Sequence, residues 1–410
     1  MLENLSLENV GPAPRLAIEL RERLNLLTGD NGLGKTFLLD TAWWVLTRTW
    51  ARNDVLPHGK PAYIRYRYIQ KNGQSPDREI QFDWNQGYWP VDRRRPSIPG
   101  LVLYAQVDGA FSVWDPARNY WRKEFPERPD SYLFSAEEVW DGHEHCEGLI
   151  RDWGSWQREG GKAFEQLQSV LRTLSPAESE VLTPGVLRKI SLDDPRRHPT
   201  LRMPYGQDVA LIHASAGMRR ILALAYLLVW TWQEHLESCK LLRRAPAREI
   251  IFLVDELEAH LHPQWQRRIV ESLLEVMEVL TEDHNARVQL IAATHSPLVM
   301  ASVEPVFDIK RDGLFLLDLE HRQVTLEELP WCKQGDVVNW LVSDTFGLRQ
   351  GRSLEAERAI EAAEAWMRGA KSDLPEDLRS EKKIDAELRR VLADHDDFWP
   401  RWVVWARKRA

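Results

Sequence analysis

Gly29-Asp30-Asn31-Gly32-Leu33-Gly34-Lys35-Thr36 is the stretch on which the reading of this chain turns, because it satisfies GxxxxGK[ST]. That pattern means a phosphate-binding loop where a strand precedes it and a helix follows. Leu24-Asn25-Leu26-Leu27 runs as a strand into the glycine turn, after a shorter strand marked by Leu16, Ile18 and Leu20. A helix is predicted from about Lys35 through the Trp43-Trp44 pair. In such a loop glycines let backbone N–H groups curl around phosphate oxygens, and the helix start adds about half a positive charge. Gly29, Asn31, Gly32 and Gly34 are therefore candidates to line a nucleotide, with Lys35 reaching the β and γ phosphates and Thr36 binding Mg²⁺. A mere glycine turn is the bland alternative, and the strand-helix context argues against it.

Working outward, Ile250-Ile251-Phe252-Leu253-Val254 is a continuous apolar run ending in Asp255-Glu256. A strand buried on both faces reads this way, and it delivers its acids to the carboxyl edge of a sheet, where a nucleotide sits. Asp255 would hold Mg²⁺ through water and Glu256 would polarise the attacking water; a helix cap after a strand is the plain alternative. Around these anchors the predicted fold class is α/β, a mixed sheet flanked by helices. An N-terminal lobe over 1–130 contains a hairpin between IRYRYIQ and REIQFDW, turning at Asn72-Gly73, and a buried strand at Leu101 to Val107. Residues 131–210 form a compact helical insertion. A second lobe over 211–329 holds a long helix from Met218 to Trp232, the strand at Ile250, a helix from Pro263 to Leu280 and a strand at Val288 to Ala293. Residues 330–410 form a helical extension interrupted by the polar linker KSDLPED. No sustained heptads lie between Thr36 and Ser215, which excludes long coiled-coil arms.

Composition narrows the setting. The 410 residues are 43% hydrophobic and 28% charged, which is globular, and the net charge of −8 argues against gripping nucleic acid by bulk counterion release. No apolar run is long enough to span a bilayer, and MLENLSLENV lacks the basic and apolar regions of a secretory leader, so a cytoplasmic protein with no membrane contact is expected. Cys146, Cys239 and Cys332 are too scattered for a disulfide framework or a metal knuckle. The 19 tryptophans cluster on helical-looking segments as core or interface anchors.

The stretch DELEAHLHPQWQ, followed by VQLIAATHSP, resembles the ABC-type P-loop ATPases of the RecF and OLD kind. The resemblance implies ATP hydrolysis with ATP and Mg²⁺ bound, Glu256 as catalytic base and His295 as the switch residue contacting the γ-phosphate. A lone histidine there would as often be a satisfied loop residue. His213-Ala214-Ser215-Ala216-Gly217-Met218-Arg219-Arg220 resembles a degenerate signature motif. Ser215 and Gly217 would offer donors to a nucleotide held by a second head, against the alternative of a plain capped helix. Ala216 and Met218 depart from LSGGQ, which disfavours a transporter motor. The family also expects a glutamine touching Mg²⁺, for which Gln106 is the candidate beside the alternative of an ordinary strand-edge residue. His260 and His262 fall where the family makes dimer contacts. Metal at His143 to Cys146 is disfavoured because adjacent residues point apart. Arg93-Arg94-Arg95, Arg196-Arg197-His198 and Arg243-Arg244 read as solvated loops, with phosphate contact as the alternative.

Softer cues, FSVWDPARNYW, EVWDG with GLIRDW, and TFGLRQGRSLEAERAIEAAEAWM, resemble the PtuA-like ATPase subunits of Septu and retron anti-phage defence systems. That resemblance implies a homodimer or higher even oligomer, a nuclease effector of the HNH type bound through the C-terminal helices, and a DNA or phage-derived trigger. The indoles of DFWPRWVVWARKR would be the anchors. The chain has neither an HNH pattern nor the acidic motifs of a Toprim nuclease, so nuclease chemistry is expected in another chain. A RecF-like repair clamp acting on DNA is the alternative function.

Overall fold

The structure is a computed structural model that describes residues 1–69, 76–90, 100–119, 129–281, 286–370, 372 and 374–407. The turn expected at Asn72-Gly73 and the run Arg93-Arg94-Arg95 lie outside these residues. Strand Glu249–Val254 is buried along its apolar run and lies in the middle of an eight-stranded sheet. Five strands run parallel side by side: Asp312–Glu320, Leu24–Gly29, Arg287–Ala293, Glu249–Val254 and Leu101–Ala105. Antiparallel strands close both sides, Gln323–Leu329 on one and Phe111–Trp114 with Tyr132–Phe134 on the other. The sheet is mixed, as expected.

A second sheet is wholly antiparallel, in the order Arg15–Glu19, Leu2–Glu8, Tyr63–Tyr68, Asp77–Gln81. One of its faces, carrying Leu5, Leu7, Ile18, Ile64 and Tyr66, shares a core with helix Lys35–Thr47 and with Val102, Ile251 and Ile291 of the large sheet. The helix following the phosphate loop is thus caught between two sheets, which is why Trp43 and Trp44 are buried. The opposite face is a ladder of charges, with Arg65 between Glu8 and Glu79 and Arg67 beside Glu3 and Glu19.

Four elements differ from expectation. The hairpin Asp312–Glu320 to Gln323–Leu329 went unread because its tight turn uses His321 and Arg322 at φ 48° and 67°, where glycine or asparagine would have signalled it. The segment 131–210 opens with strand Tyr132–Phe134 of the large sheet and is helical over Ala136–Asp141, Leu149–Glu159 and Lys162–Thr173; a small antiparallel sheet of Thr183–Pro184, Thr200–Arg202 and Asp208–Ala210 comes after them. The helix expected from Pro263 to Leu280 breaks into Pro263–Gln266 and Ile269–Thr281. The long helix extends over 27 residues, Ala216–Leu242.

The chain forms two compact units, Met1–Gly335 and Asp336–Ala410. The second has its own core, built from Ala359, Ile360 and Ala363 of helix Leu354–Arg368 and Ile384 and Leu388 of helix Glu381–Val391. Trp402 is buried in that core and Trp399 and Trp405 pack on it. Trp402 is therefore not exposed, while Trp399 and Trp405 are half-buried and Val403 and Val404 face outward beside them.

Helix Leu149–Glu159 is tied to the long helix by the Tyr226 hydroxyl, which donates to Asp152 at 2.7 Å. Burial pushes the Asp152 carboxyl up to about 6 despite that bond. Below its unfolded value near pH 4 the group is protonated in both states; as pH rises through 6 the folded state must ionise it in place, and stability is lost. Asp152→Asn keeps an acceptor for Tyr226 and removes this cost, so the variant should gain stability on the order of 2 kcal/mol relative to wild type between pH 4 and pH 7. Denaturant titrations at both pH values check it.

Candidate nucleotide site

Parallel strands in register bring their carboxyl ends to one edge. Val254 stands opposite both Ala105 and Ala292, and Ala293 stands opposite Leu27. The residues just past each strand therefore emerge together: Gln106, Asp255-Glu256, Thr294-His295 and the glycine loop from Gly29. Backbone bonds stitch these ends, Asp255 N–H to Ala105 O at 2.9 Å, Thr294 N–H to Leu27 O at 2.9 Å and Leu257 N–H to Ala293 O at 3.0 Å.

The glycines are required by space and by conformation. Gly29 has φ 127°, and a Cβ there would meet Leu317 O at 1.9 Å; Gly34 has φ 105° and would meet Pro12 Cγ at 2.7 Å. Gly34 caps helix Lys35–Thr47 with no side-chain hydrogen bond, and the first turn holds no acid, which leaves the helix start suited to an anion. Asn31 and Gly32 lie on the same loop, Gly32 at φ 79°. The Lys35 ammonium curls back to donate to Gly29 O at 2.8 Å and Asp30 O at 2.7 Å, and burial lowers its pKa against the pull of Asp255.

Asp255 is almost wholly buried, which raises its pKa, while the Thr36 hydroxyl at 3.0 Å from both carboxylate oxygens and the Arg52 guanidinium at 3.3 Å pull it down. Arg52 also donates to Gln106 Oε1 at 2.6 Å, and Gln106 Nε2 donates to Ser112 at 2.9 Å. Gln106 is thus a buried member of the acid centre, past the end of its strand. Tyr104 donates to Asp40 at 2.9 Å, and Asp40 lies 4.0 Å from Arg52. Thr36 Oγ1, the Asp255 carboxylate and Gln106 Oε1 together make an oxygen donor set of the hard kind that suits Mg²⁺.

Glu256 takes φ 47°, a left-handed conformation that a non-glycine residue adopts at a cost of about 1–2 kcal/mol. Its carbonyl accepts from Ala259 N–H at 2.9 Å and from Arg220 Nη2 at 3.0 Å. Arg220 also donates to Asp255 O at 2.8 Å and Val107 O at 2.9 Å, so one guanidinium from the long helix binds the carbonyls beyond two strands. Glu258 accepts from Thr294 Oγ1 at 2.6 Å and His295 N–H at 2.5 Å, which fixes the loop bearing His295. Burial, then the nearby Lys35 charge, lowers the His295 pKa, which favours the neutral imidazole.

Ser215 is exposed at the start of helix Ala216–Leu242, its hydroxyl accepting from Met218 N–H at 3.4 Å. Gly217 is buried; a Cβ there would lie 2.5 Å from His260 O. His260 sits at φ 62°, and His262 caps the short helix Pro263–Gln266 by accepting from Gln264 N–H at 3.4 Å. Arg196 and His198 are both engaged by Asp194, and Arg243 ends the long helix in a left-handed cap. Arg52, Asp40, Tyr104, Arg220 and Glu258 were missed from sequence. Only Arg220 and Glu258 carried a signal, by standing inside the motifs at Ser215 and Asp255.

The Septu protein PtuA of Bacillus mycoides (strain KBAB4) is 35% identical over 101 residues, 24% of this chain and 12% of that protein. The Septu protein PtuA of Bacillus thuringiensis is 30% identical over 110 residues, 26% of this chain and 24% of that protein. The Retron Vc95 probable ATPase of Vibrio cholerae serotype O1 biovar El Tor is 43% identical over 53 residues, 13% of this chain and 9% of that protein. The aligned stretches therefore span a quarter or less of these relatives. Among solved structures, the SmcHead bound to the C-winged helix domain of ScpA has a TM-score of 0.45 at 14% identity, covering 80% of this chain and 97% of that one. The recombination mediator protein RecF has a TM-score of 0.40 at 13% identity, covering 80% and 98%. A protein family described as "AAA domain, putative AbiEii toxin, Type IV TA system" matches residues 24–301. That match takes in the glycine loop, both acids and His295 and extends over more than half of the 410 residues, so the chain belongs to this AAA-domain family.

Proposed function

We propose that this chain binds and hydrolyses ATP with Mg²⁺ between two copies of its head, and that the assembly controls a partner nuclease in bacterial anti-phage defence. The observation that carries the catalytic part is the convergence of the glycine loop, Thr36, Asp255, Gln106, Glu256 and His295 at one sheet edge. Lys35 would exchange the carbonyls of Gly29 and Asp30 for phosphate oxygens. Thr36, Asp255 and Gln106 would hold Mg²⁺, which neutralises phosphate charge when bound. Glu256 would orient the attacking water, and the neutral His295 imidazole would donate to the γ-phosphate. Ser215 stands exposed at a helix start, a placement that favours service to a nucleotide on a second copy.

The defence role is supported by the similarity to Septu PtuA and retron ATPase sequences over short stretches. The nuclease, the trigger and a cytoplasmic setting are parts of that reading. No helix among the described residues is long and apolar enough to cross a membrane. The unit Asp336–Ala410, with its separate core, is the proposed site of partner attachment.

Lys35→Ala should abolish nucleotide binding, read by isothermal titration with a non-hydrolysable ATP analogue. Glu256→Gln should retain binding, lower turnover by about a hundredfold or more, and accumulate ATP-dependent dimers in light scattering. Normal hydrolysis by that variant would remove Glu256 from the role of base. A chain ending at Gly335 should keep ATP turnover and lose its partner on purification from the native operon; retention of the partner places the attachment surface on the head.

A further inference from the structure

Outside the nucleotide site, chemistry-bearing side chains converge in one short turn of the insertion. Sequence reasoning disfavours metal at His143 to Cys146 because neighbouring residues point apart, and for His143, Glu144 and His145 the fold removes that objection. Between helices Ala136–Asp141 and Leu149–Glu159 the chain doubles back, with His143 N–H donating to Cys146 O at 2.8 Å and Cys146 N–H to His143 O at 3.1 Å. Gly142 and Gly148 flank the turn at φ 98° and 84°, and a Cβ on either would lie 2.5 Å or 2.4 Å from opposing backbone. The turn is therefore held closely on both sides.

Its geometry brings one ligand atom from each of His143, Glu144 and His145 within 4.8 Å of the others. One pair, His145 Nε2 and Glu144 Oε1, stands at 3.3 Å. Ligands on a tetrahedral zinc ion, with bonds of about 2.0–2.1 Å, lie roughly 3.4 Å apart, so closure needs only modest rotation of exposed side chains. Two imidazoles and a carboxylate select a borderline ion such as Zn²⁺ over Mg²⁺ or Ca²⁺. Glu138 Oε1 lies 3.6 Å from His143 Nε2, while its other oxygen accepts the Ser135 N–H in a capping box. Such an anchored carboxylate can hold the ring that faces it, as an outer partner of a metal-bound histidine does.

We propose that His143, Glu144 and His145 bind one Zn²⁺-class ion, with the open face of the site completed by solvent. The turn continues directly from Trp140, whose ring lies 4.1 Å from the Arg219 guanidinium in the first turn of helix Ala216–Leu242. An ion here would fasten the part of the insertion that packs on that helix start.

The test is calorimetric titration of ZnCl₂ into the untagged full chain, stripped with a chelator and kept in saturating Mg²⁺. A Cys332→Ser background removes the exposed thiol. One saturable equivalent is expected. The double variant His143→Gln/His145→Gln should weaken it at least tenfold, leaving the zinc-free melting temperature and Mg²⁺·ATP binding unchanged. Glu144→Gln alone should weaken binding less, and Co²⁺ should give a tetrahedral ligand-field spectrum that the variants lose; these two measurements decide the matter if the double variant fails to fold. Undiminished zinc binding in the variants, several weak equivalents, or no binding by the wild-type chain would each overturn the proposal.

Discussion

The buried carboxylate of Asp255 is the constraint around which the first unit is organised. An acid taken out of water is tolerated only if partners replace its hydration. Here they come from both ends of helix Lys35–Thr47: Thr36 lies in its first turn, and Arg52 lies a few residues beyond its end. That helix is in turn clamped between two sheets by its tryptophans. Packing in the apolar core thus sets where the acid's polar partners stand. Arg52 extends the network to Gln106, Asp40 and, through Asp40, Tyr104.

How much was legible in the sequence depends on how local each signal is. The phosphate loop is contiguous, and its strand, turn and helix are each dictated by neighbouring residues, so Gly29 to Thr36 could be read outright. The strand at Ile250 was legible because burial on both faces leaves no alternation. The hairpin at His321-Arg322 was not, because a two-residue turn normally announces itself through glycine or asparagine. Arg52 had no local signature at all; it matters only because two parallel strands, remote in sequence, carry Gln106 and Asp255 within reach of its guanidinium. The C-terminal tryptophans were legible as anchors but not as to which surface they anchor, since an amphipathic pattern does not say what covers it.

Glu256 shows how the two halves of the head constrain one another. A left-handed glutamate persists only where its surroundings over-determine it. The backbone partners are the Ala259 N–H from its own loop and the Arg220 guanidinium from the long helix. Burial lowers the Arg220 pKa, yet an arginine remains charged, and its Nη1 and Nη2 donate to the carbonyls beyond Leu101–Ala105 and Glu249–Val254. Gly217 allows this by letting the helix start approach His260 O more closely than any side chain would permit. The position of Ser215 at the helix tip and the backbone of Glu256 are therefore geometrically coupled. The first two turns of that helix cannot shift without stretching the bonds that hold the glutamate in its strained conformation.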